Sequence, residues 1–198
     1  MAPRELVLAS TSPYRRDLLA RLGLPFRTIA PDVDETPLPG EFPDRLVHRL
    51  AAAKARSVGP LCQGAIVIGS DQVAVLDGER IGKPGGHERA VEQLLRASGR
   101  RVEFLTGLAV LDTATDACQV DVVPFAVQFR PLQRPRIERY LARERPYDAA
   151  GSFKSEGLGV ALFERMEGED PTALIGLPLI RLTSMLAEAG LDVLGGDP

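Results

Sequence analysis

The strongest constraint on the fold is the alternation of short apolar strands with amphipathic helices in the first half of the chain. Leu6–Ala9 is a continuous apolar run, which is typical of a buried strand. Ser12 and Pro13 then predict a helix start, because Ser is a favoured N-cap and Pro fits the first helical turn. A second strand is predicted over Phe26–Ile29, and a second helix from about Asp44. This alternation favours a sheet with helices on both faces.

Later segments add antiparallel strands to this pattern. An apolar strand is predicted over residues 65–69, followed by a hairpin over residues 73–81. Two longer β-rich stretches, residues 102–111 and 120–130, are expected to pair antiparallel. The other predicted elements are helices at 88–97, 135–143 and 179–189, a strand at 159–163 and a frayed tail at 195–198. We therefore predict an α/β fold with a mixed, elongated central sheet flanked by helices, in a single domain over residues 1–198.

Composition excludes several functional classes. The chain has 198 residues and a net charge of −3, which argues against a nucleic-acid polymer as partner. No apolar run approaches the roughly eighteen residues that a membrane span needs, and the N-terminus lacks the apolar core of a signal peptide. Cys62 and Cys118 form neither a zinc motif nor a disulfide framework. We expect a cytoplasmic protein that binds a small molecule.

The turn that follows the first strand has the features of an anion site. A strand that breaks into Ser10, Thr11 and Ser12 before a helix presents backbone N–H groups at a positive dipole end. Arg15 and Arg16 lie in the first helical turn, within reach of the same anion. The alternative is an ordinary N-cap followed by two solvated arginines.

A second candidate site is the Ser-Asp-Gln segment around Asp71, predicted at the carboxyl end of an apolar strand. Ligand sites in open α/β sheets gather at such strand ends. A carboxylate there can hold a divalent metal, or orient and deprotonate a water molecule. The alternative for Asp71 is a residue that only forms the turn.

Further charged residues could complete the site. Lys54 lies on an alanine-rich helix, Lys83 lies in a Gly-Lys-Pro loop, and Glu35 could add a carboxylate to a metal site. In a later glycine-flanked segment, Phe153 could pack against a base and Glu156 could accept hydrogen bonds from a purine edge. For each of these residues a purely structural or solvated role remains the alternative.

Missing motifs narrow the chemistry further. His48 and His87 lie in no metal-spaced or triad-like pattern, and the chain has no nucleophile elbow or dinucleotide-binding glycine fingerprint. The remaining chemistry is phosphoryl transfer run by carboxylates and basic side chains with Mg²⁺ or Mn²⁺.

Several short motifs extend over nearly the whole chain. In order they are LASTSPYRR (residues 8–16), VDE (33–35), KA (54–55), GSDQV (69–73), GKP (82–84), TG (106–107), AGSF (150–153) and GLP (176–178). Together they resemble the Maf-like nucleotide pyrophosphatases. The resemblance implies a fold with two lobes and a cleft between them, and it is compatible with a homodimer. It also implies that Asp71 is the proton acceptor and that Tyr14, Gln72 and Glu156 set substrate specificity.

Within this family the chain is similar to the branch that acts on 7-methyl-GTP. The branch that acts on dTTP and UTP typically has Arg after the Ser-Pro pair, Ala-Asp-Thr around the acid and a late motif with Tyr and Gln. Here Tyr14 follows the Ser-Pro pair, Ser70 and Gln72 flank the acid, and Glu156 ends the late motif. The 7-methylguanine ring is cationic, so the face of Tyr14 can attract it, and Glu156 can oppose its charge.

The resulting hypothesis is a hydrolase acting on acid anhydrides, which splits 7-methyl-GTP into 7-methyl-GMP and pyrophosphate and so removes modified nucleotides. Glu35 and Asp71 would share a divalent cation, while Lys154 would contact phosphate or neutralise Glu156. The predicted phosphate-binding residues are Ser10, Arg15, Arg16, Lys54 and Lys83. The alternatives are a dTTP/UTP pyrophosphatase of the same family and a nucleotide-binding regulator of cell division and septum formation.

Overall fold

A computed structural model describes residues 4–195, so the expected C-terminal tail lies outside these residues except for Gly195. The strands are β1 (Leu6–Ala9), β2 (Phe26–Ile29), β3 (Ile66–Leu76), β4 (Glu79–Ile81), β5 (Arg101–Asp112), β6 (Ala117–Phe129) and β7 (Phe163–Glu167). The α-helices are α1 (Pro13–Ala20), α2 (Pro43–Val58), α3 (His87–Ala97), α4 (Arg134–Glu144) and α5 (Leu179–Glu188). Short 3-10 helices cover Gly59–Leu61, Ala150–Ser152, Leu158–Leu162 and Pro171–Ile175.

The seven strands of residues 4–195 belong to one mixed sheet, with the order β2-β1-β3-β5-β6-β7 and with β4 paired to β3. β1 is parallel to both β2 and β3. The other pairs are antiparallel, and the long β5–β6 hairpin was predicted from the sequence. The α/β prediction with a mixed sheet flanked by helices is therefore confirmed.

Three apolar cores lie against this sheet. At the β1–β2 end, α1 and α5 cover one face and bury Leu18 and Leu186 against β1, β3 and β5. α2 covers the opposite face of the same end and buries Ala51 against it. The other end of the sheet packs against α3 and α4 through residues such as Leu94 and Ile137. Among residues 4–195, no helix has both the length and the apolar character needed to cross a bilayer.

Two glycines allow α2 to lie unusually close to the sheet. A Cβ atom on Gly69 of β3 would lie 2.2 Å from the carbonyl oxygen of Ala51. A Cβ atom on Gly107 of β5 would lie 2.1 Å from the carbonyl oxygen of Val47. Any side chain at either position would therefore displace the helix, which carries Lys54 into the site described below.

The strand that contains Asp71 is longer than the sequence suggested. From the sequence, one strand was predicted to end at Gly69 and a hairpin to begin at Val73, with Asp71 between them, whereas β3 is continuous from Ile66 to Leu76. The parallel partner β1 stops at Ala9, opposite Gly69, but β5 pairs with β3 as far as Val75. Asp71 therefore lies within a strand, at the point where the neighbouring strand has ended.

The predicted strand over residues 159–163 is also wrong. Leu158–Leu162 is a 3-10 helix, and β7 begins only at Phe163. The chain curls there because the N–H groups of Gly157 and Gly159 both donate to the carbonyl oxygen of Lys154. A short apolar run does not by itself distinguish a strand from a buried helical turn.

Candidate functional site

A cleft of about 540 Å³ opens where β1 ends and α1 begins, between the two ends of the sheet. One side is formed by the β1–α1 turn, α2 and β3, and the other by the Lys83 loop and the segment from Asp148 to Glu156. The cleft lining includes the following residues predicted from the sequence: Ser10, Tyr14, Arg15, Glu35, Lys54, Asp71, Gln72, Lys83 and Glu156.

The floor of the cleft contains a lysine bound to two carboxylates. Lys54 Nζ lies 2.7 Å from Asp71 Oδ1 and 2.6 Å from Glu35 Oε1. Lys54 and Asp71 are only 6% and 8% exposed, whereas the Glu35 side chain is 59% exposed. Because Lys54 is buried and paired, it is not the solvated lysine that was the alternative reading of the sequence.

The β1–α1 turn holds its own backbone through its hydroxyl groups. Ser12 Oγ accepts a hydrogen bond from Arg15 N–H at 3.4 Å, as an N-cap does, and Ser10 Oγ accepts one from Ser12 N–H at 3.1 Å. Pro13 occupies the first helical position, as predicted. The turn is thus a helix cap, and it also borders the cleft with the positive end of α1.

Arg15 contributes a positive charge to the cleft, and a hydrogen bond to the backbone fixes its side chain. Its Nε donates to the carbonyl oxygen of Gly176 at 2.8 Å, and Ser70 Oγ donates to the same oxygen at 2.9 Å. Burial lowers the pKa of Arg15, and the charges of Asp71 and Glu35 oppose that shift. Gly176 was not among the site residues predicted from the sequence, although its Gly-Leu-Pro motif was part of the family resemblance.

Arg16 departs from the prediction that both arginines approach one anion. It is exposed, its Nη2 lies 3.1 Å from Asp17 Oδ1, and it is absent from the cleft lining. Successive residues of an α-helix point about 100° apart, since the helix has about 3.6 residues per turn. Arg15 therefore points toward Gly176 while Arg16 points toward solvent.

Gln72 lines the cleft but already uses its amide N–H groups. Its Nε2 donates to Thr106 Oγ1 at 3.0 Å and to the carbonyl oxygen of Ala173 at 2.6 Å. Gln72 therefore connects β3 and β5 to the 3-10 helix Pro171–Ile175. Any role of Gln72 in substrate choice has to be compatible with these hydrogen bonds.

Tyr14 of α1 contacts Asp148 and Lys154 of the facing segment across the cleft. The Tyr14 hydroxyl donates to Asp148 Oδ2 at 2.9 Å, Lys154 Nζ lies 3.7 Å from Asp148 Oδ1, and the same Nζ lies 5.6 Å from the centroid of the Tyr14 ring. Burial raises the pKa of Tyr14, and a hydrogen bond with Tyr14 raises that of Lys154. Burial opposes ionisation of Asp148, but Tyr14, Lys154 and Lys83 bring its pKa below the usual range.

Asp148 was missed from the sequence. It is separated from Tyr14 by 134 positions, so no local pattern connects the two. The one available signal was its position two residues before the Ala-Gly-Ser-Phe motif at 150–153.

Phe153 does not have the environment expected for a residue that stacks on a base. The residue borders the cleft, but its ring is buried among other aromatic rings, with centroids 5.3 Å from Phe104 and 4.8 Å from Phe163. These edge-to-face contacts assign Phe153 to the core of its lobe. Glu156, by contrast, is exposed at the cleft and accepts a hydrogen bond from Ser155 Oγ.

The residues of the cleft fit a divalent cation that is shared with a substrate. Within residues 4–195, no cluster of three or more His, Cys, Asp or Glu side chains is placed to hold a metal. Glu35 and Asp71 nevertheless converge on one point, the Lys54 ammonium. Mg²⁺ typically binds one or two carboxylates and completes its coordination with water and substrate phosphates.

A protein family and several curated proteins match nearly the whole length of this chain. The family described as "Maf-like protein" matches residues 5–189. A protein of Nitrosococcus oceani named 7-methyl-GTP pyrophosphatase is 59% identical over 98% of this chain and 97% of its own length. Proteins with the same name from Pseudomonas syringae pv. tomato and Pseudomonas aeruginosa are 60% and 57% identical, over 95% and 96% of this chain and 98% of each relative.

Solved structures show the same fold at much lower sequence identity. A HAM1 protein from Coxiella burnetii has a TM-score of 0.55 at 18% identity and covers 94% of this chain and all (100%) of its own. The Ham1 protein of Staphylococcus aureus has a TM-score of 0.52 at 17% identity, with the same coverage, 94% and 100%. Since the family matches nearly the full length and relatives share more than half of its residues, the chain belongs to the Maf-like protein family.

Proposed function

We propose that this chain is a hydrolase that splits the α–β phosphate bond of 7-methyl-GTP and releases 7-methyl-GMP and pyrophosphate. The observation that carries the proposal is the buried Lys54–Asp71 pair at the floor of a cleft that also contains Arg15. The names of relatives that are 57–60% identical support the same substrate. The role in the cell would be removal of modified nucleotides in the cytoplasm, the compartment we infer from the unpaired cysteines.

The phosphate chain would lie along the positively charged side of the cleft. Arg15 is aimed by its bond to Gly176, Lys83 is exposed on the facing loop, and Ser10 lies beside the N-terminus of α1. Lys54 adds a cation at the floor. Positioned cations of this kind stabilise the charge that spreads over the phosphate oxygens in the transition state.

Asp71 would act as the proton acceptor. A water molecule attacks the α-phosphorus and gives a proton to Asp71, the bond from the α-phosphorus to the bridging oxygen breaks, and its electron pair leaves with pyrophosphate. Lys54 keeps the Asp71 carboxylate in place through its 2.7 Å contact. The strand position of Asp71 makes this orientation rigid, since β5 pairs with β3 on both sides of it.

Glu35 and Asp71 are the residues that would hold a divalent cation, Mg²⁺ or Mn²⁺. Bound there, the cation would supply positive charge to the phosphates and lower the pKa of a water molecule. Lys54 balances the two carboxylates in the state described here.

The base would lie at the other end of the cleft, beside Tyr14 and Glu156. The Tyr14 ring can attract the cationic 7-methylguanine ring, and Glu156 can accept from the N–H groups of its Watson–Crick edge. Gln72 lies between the two ends and would influence specificity by holding the Pro171–Ile175 segment.

A nucleotide panel tests the proposal. The purified chain is incubated with Mg²⁺ or Mn²⁺ and with 7-methyl-GTP, GTP, dTTP, UTP, CTP or ATP, and released pyrophosphate is measured. We expect the largest kcat/KM for 7-methyl-GTP and no release in the presence of EDTA.

The other outcomes identify the rival functions. A preference for dTTP and UTP would contradict the reading of Tyr14 and Glu156 and favour the pyrimidine branch of the family. Nucleotide binding without metal-dependent pyrophosphate release would instead favour a binding protein that regulates septum formation.

A further inference from the structure

The geometry points to Asp148 as a further specificity-determining residue. Together with Tyr14, Asp148 forms a subsite for the positive charge of an N7-alkylated purine ring. Lys154 occupies this subsite in the absence of nucleotide. This inference rests on the proposed function, because it concerns which base the same cleft selects. It adds a residue and a mechanism of charge recognition to that function.

A cation, the Lys154 ammonium, already lies between Tyr14 and Asp148. The Lys154 ammonium is 5.6 Å from the centroid of the Tyr14 ring and 3.7 Å from Asp148 Oδ1. An aromatic face and a carboxylate around one positive charge are the recognition elements of known cation sites. The wall of the cleft thus accommodates a cation, and an N7-alkylated guanine carries its positive charge in the ring.

Asp148 has a fixed position relative to the Tyr14 ring. The Tyr14 hydroxyl donates to Asp148 Oδ2 at 2.9 Å, which keeps the carboxylate at the edge of the Tyr14 ring. Glu156 is the other acid at this wall, but its described hydrogen bond is to the adjacent Ser155 and not to Tyr14. Asp148 is therefore the better placed counter-charge for a ring stacked on Tyr14.

The Lys154 ammonium is only weakly bound to Asp148. The Lys154–Asp148 separation of 3.7 Å is long for an ion pair, and the Asp148 side chain is 59% exposed. Pairs of this kind contribute little to stability because solvent screens them and because the lysine stem is flexible. A nucleotide base can thus displace the ammonium at small cost, whereas a neutral base would leave Asp148 without a compensating charge.

The experiment separates charge from shape with two nucleotides. 7-Methyl-GTP carries a cationic ring, and 7-deaza-7-methyl-GTP carries the same methyl group on a neutral ring. The measured quantity is the ratio of their kcat/KM values from pyrophosphate release. Asp148→Asn removes the charge but keeps an oxygen that can accept the Tyr14 hydrogen bond.

We expect this ratio to fall about fivefold in Asp148→Asn, the size of a typical exposed cation–π or ion-pair contribution. Asp148→Glu should recover most of it. The matched control is Glu92→Gln, which removes one negative charge from the exposed surface of α3 outside the cleft lining. A ratio within twofold of wild type in Asp148→Asn would overturn the inference.

Lys154→Met gives the opposite test. Removal of the competing ammonium should raise the ratio, because only the cationic base takes its place. If kcat/KM instead falls equally for both nucleotides, Lys154 is a phosphate ligand and the exchange is refuted. Tyr14→Phe, which releases Asp148 but keeps the ring, should lower the ratio and provides a second variant should Asp148→Asn fold poorly.

Failure of the proposed function gives a different result. In that case the wild-type chain releases no pyrophosphate from either nucleotide. If the wild-type chain is active and its ratio does not depend on Asp148, only the present inference fails.

Discussion

Asp71 is a buried carboxylate whose nearest positive charge, Lys54, is itself buried. Transfer of two charges from water to a protein interior costs free energy that their attraction returns only in good geometry. Glu35 adds a second negative charge to the same ammonium. Two buried charges maintained at this cost beside the exposed Glu35 carboxylate indicate a site built for chemistry rather than for stability.

Asp71→Asn tests whether this carboxylate is the proton acceptor. The amide keeps the size of the side chain and can still accept a hydrogen bond from Lys54, but it cannot take a proton from water. We expect kcat to fall by about 10²- to 10⁴-fold, the usual contribution of a general base. Pyrophosphate release measures the rate, and circular dichroism melting measures the fold.

Asp17→Asn is the control for this change, because Asp17 is exposed on α1 and pairs with Arg16 outside the cleft lining. It should keep the wild-type rate. A near-normal rate in Asp71→Asn with an intact fold would mean that another group accepts the proton.

At this scale, sequence reasoning located residues that lie in motifs and missed those that act through distant contacts. Asp71, Lys54 and Arg15 were placed in the site because each belongs to a short recognisable segment. Arg16 was placed with Arg15 because they are adjacent, although a helix points them apart. Asp148 was missed because its contact with Tyr14 exists only in the folded chain.

Among the elements, α2 determines where Lys54 lies. Gly69 and Gly107 let the helix approach until its backbone carbonyls would touch any added Cβ atom. The small residues Ala51 and Ala55 of α2 face the same sheet surface. The position of Lys54 relative to Asp71 thus depends on the absence of a side chain at Gly69 and at Gly107.

The element-scale prediction is that Gly69→Ala and Gly107→Ala each destabilise the protein and impair the site. The new methyl group would displace α2, and overpacking of this kind typically costs about 1–3 kcal/mol. Since α2 carries Lys54, kcat should fall with the free energy of unfolding. Urea denaturation and pyrophosphate release measure the two effects.

Gly86→Ala provides the comparison, because a Cβ atom there would meet no other atom within 4 Å. Wild-type stability in Gly69→Ala or Gly107→Ala would show that α2 can shift without loss and would contradict the packing argument.

Element types were predictable where periodicity was clear and boundaries where a cap residue marked them. The N-cap Ser12 and Pro13 fixed the start of α1. The hairpin at residues 73–81 was predicted, but the continuity of β3 through residues 70–72 was not, because it depends on β5 continuing as a partner there. The 3-10 helix Leu158–Leu162 was read as a strand because its curl depends on hydrogen bonds to the Lys154 carbonyl.

On the scale of the whole molecule, one ion pair joins distant parts of the chain. Arg4 Nη1 donates to Asp112 Oδ2 at 3.0 Å, and also to the carbonyl oxygen of Ala189 at 3.1 Å. Arg4 therefore connects the end of β5 to the residue that follows α5. The Arg4 hydrogen bond lowers the pKa of Asp112 to about 2, against the opposing effect of burial.

The whole-molecule prediction follows from this pKa. An Asp in the unfolded chain titrates near about 3.9, so the folded state is stabilised above that pH. This stabilisation is lost as the pH falls from about 4 toward about 2. Asp112→Asn should be less stable than wild type at pH 7 and should lose less stability between pH 5 and pH 2.5. Thermal unfolding at these three pH values measures the difference.

Glu41 has its pKa lowered to about 2 by Arg49, so part of the acid dependence should remain in Asp112→Asn. Equal slopes in wild type and Asp112→Asn would contradict the assignment of this ion pair.

The long strands also decide how the protein can move. β3, β5 and β6 each run from the core that α1, α2 and α5 cover to the core that α3 and α4 cover. A hinge rotation of one end against the other would have to bend three hydrogen-bonded strands at once. The distance between Asp71 and the β1–α1 turn is therefore set by the sheet, because β1 and β3 are adjacent strands. An enzyme of this kind holds its catalytic carboxylate and its anion-binding turn at a fixed distance, and only the loops around the cleft can adapt to the shape of the substrate.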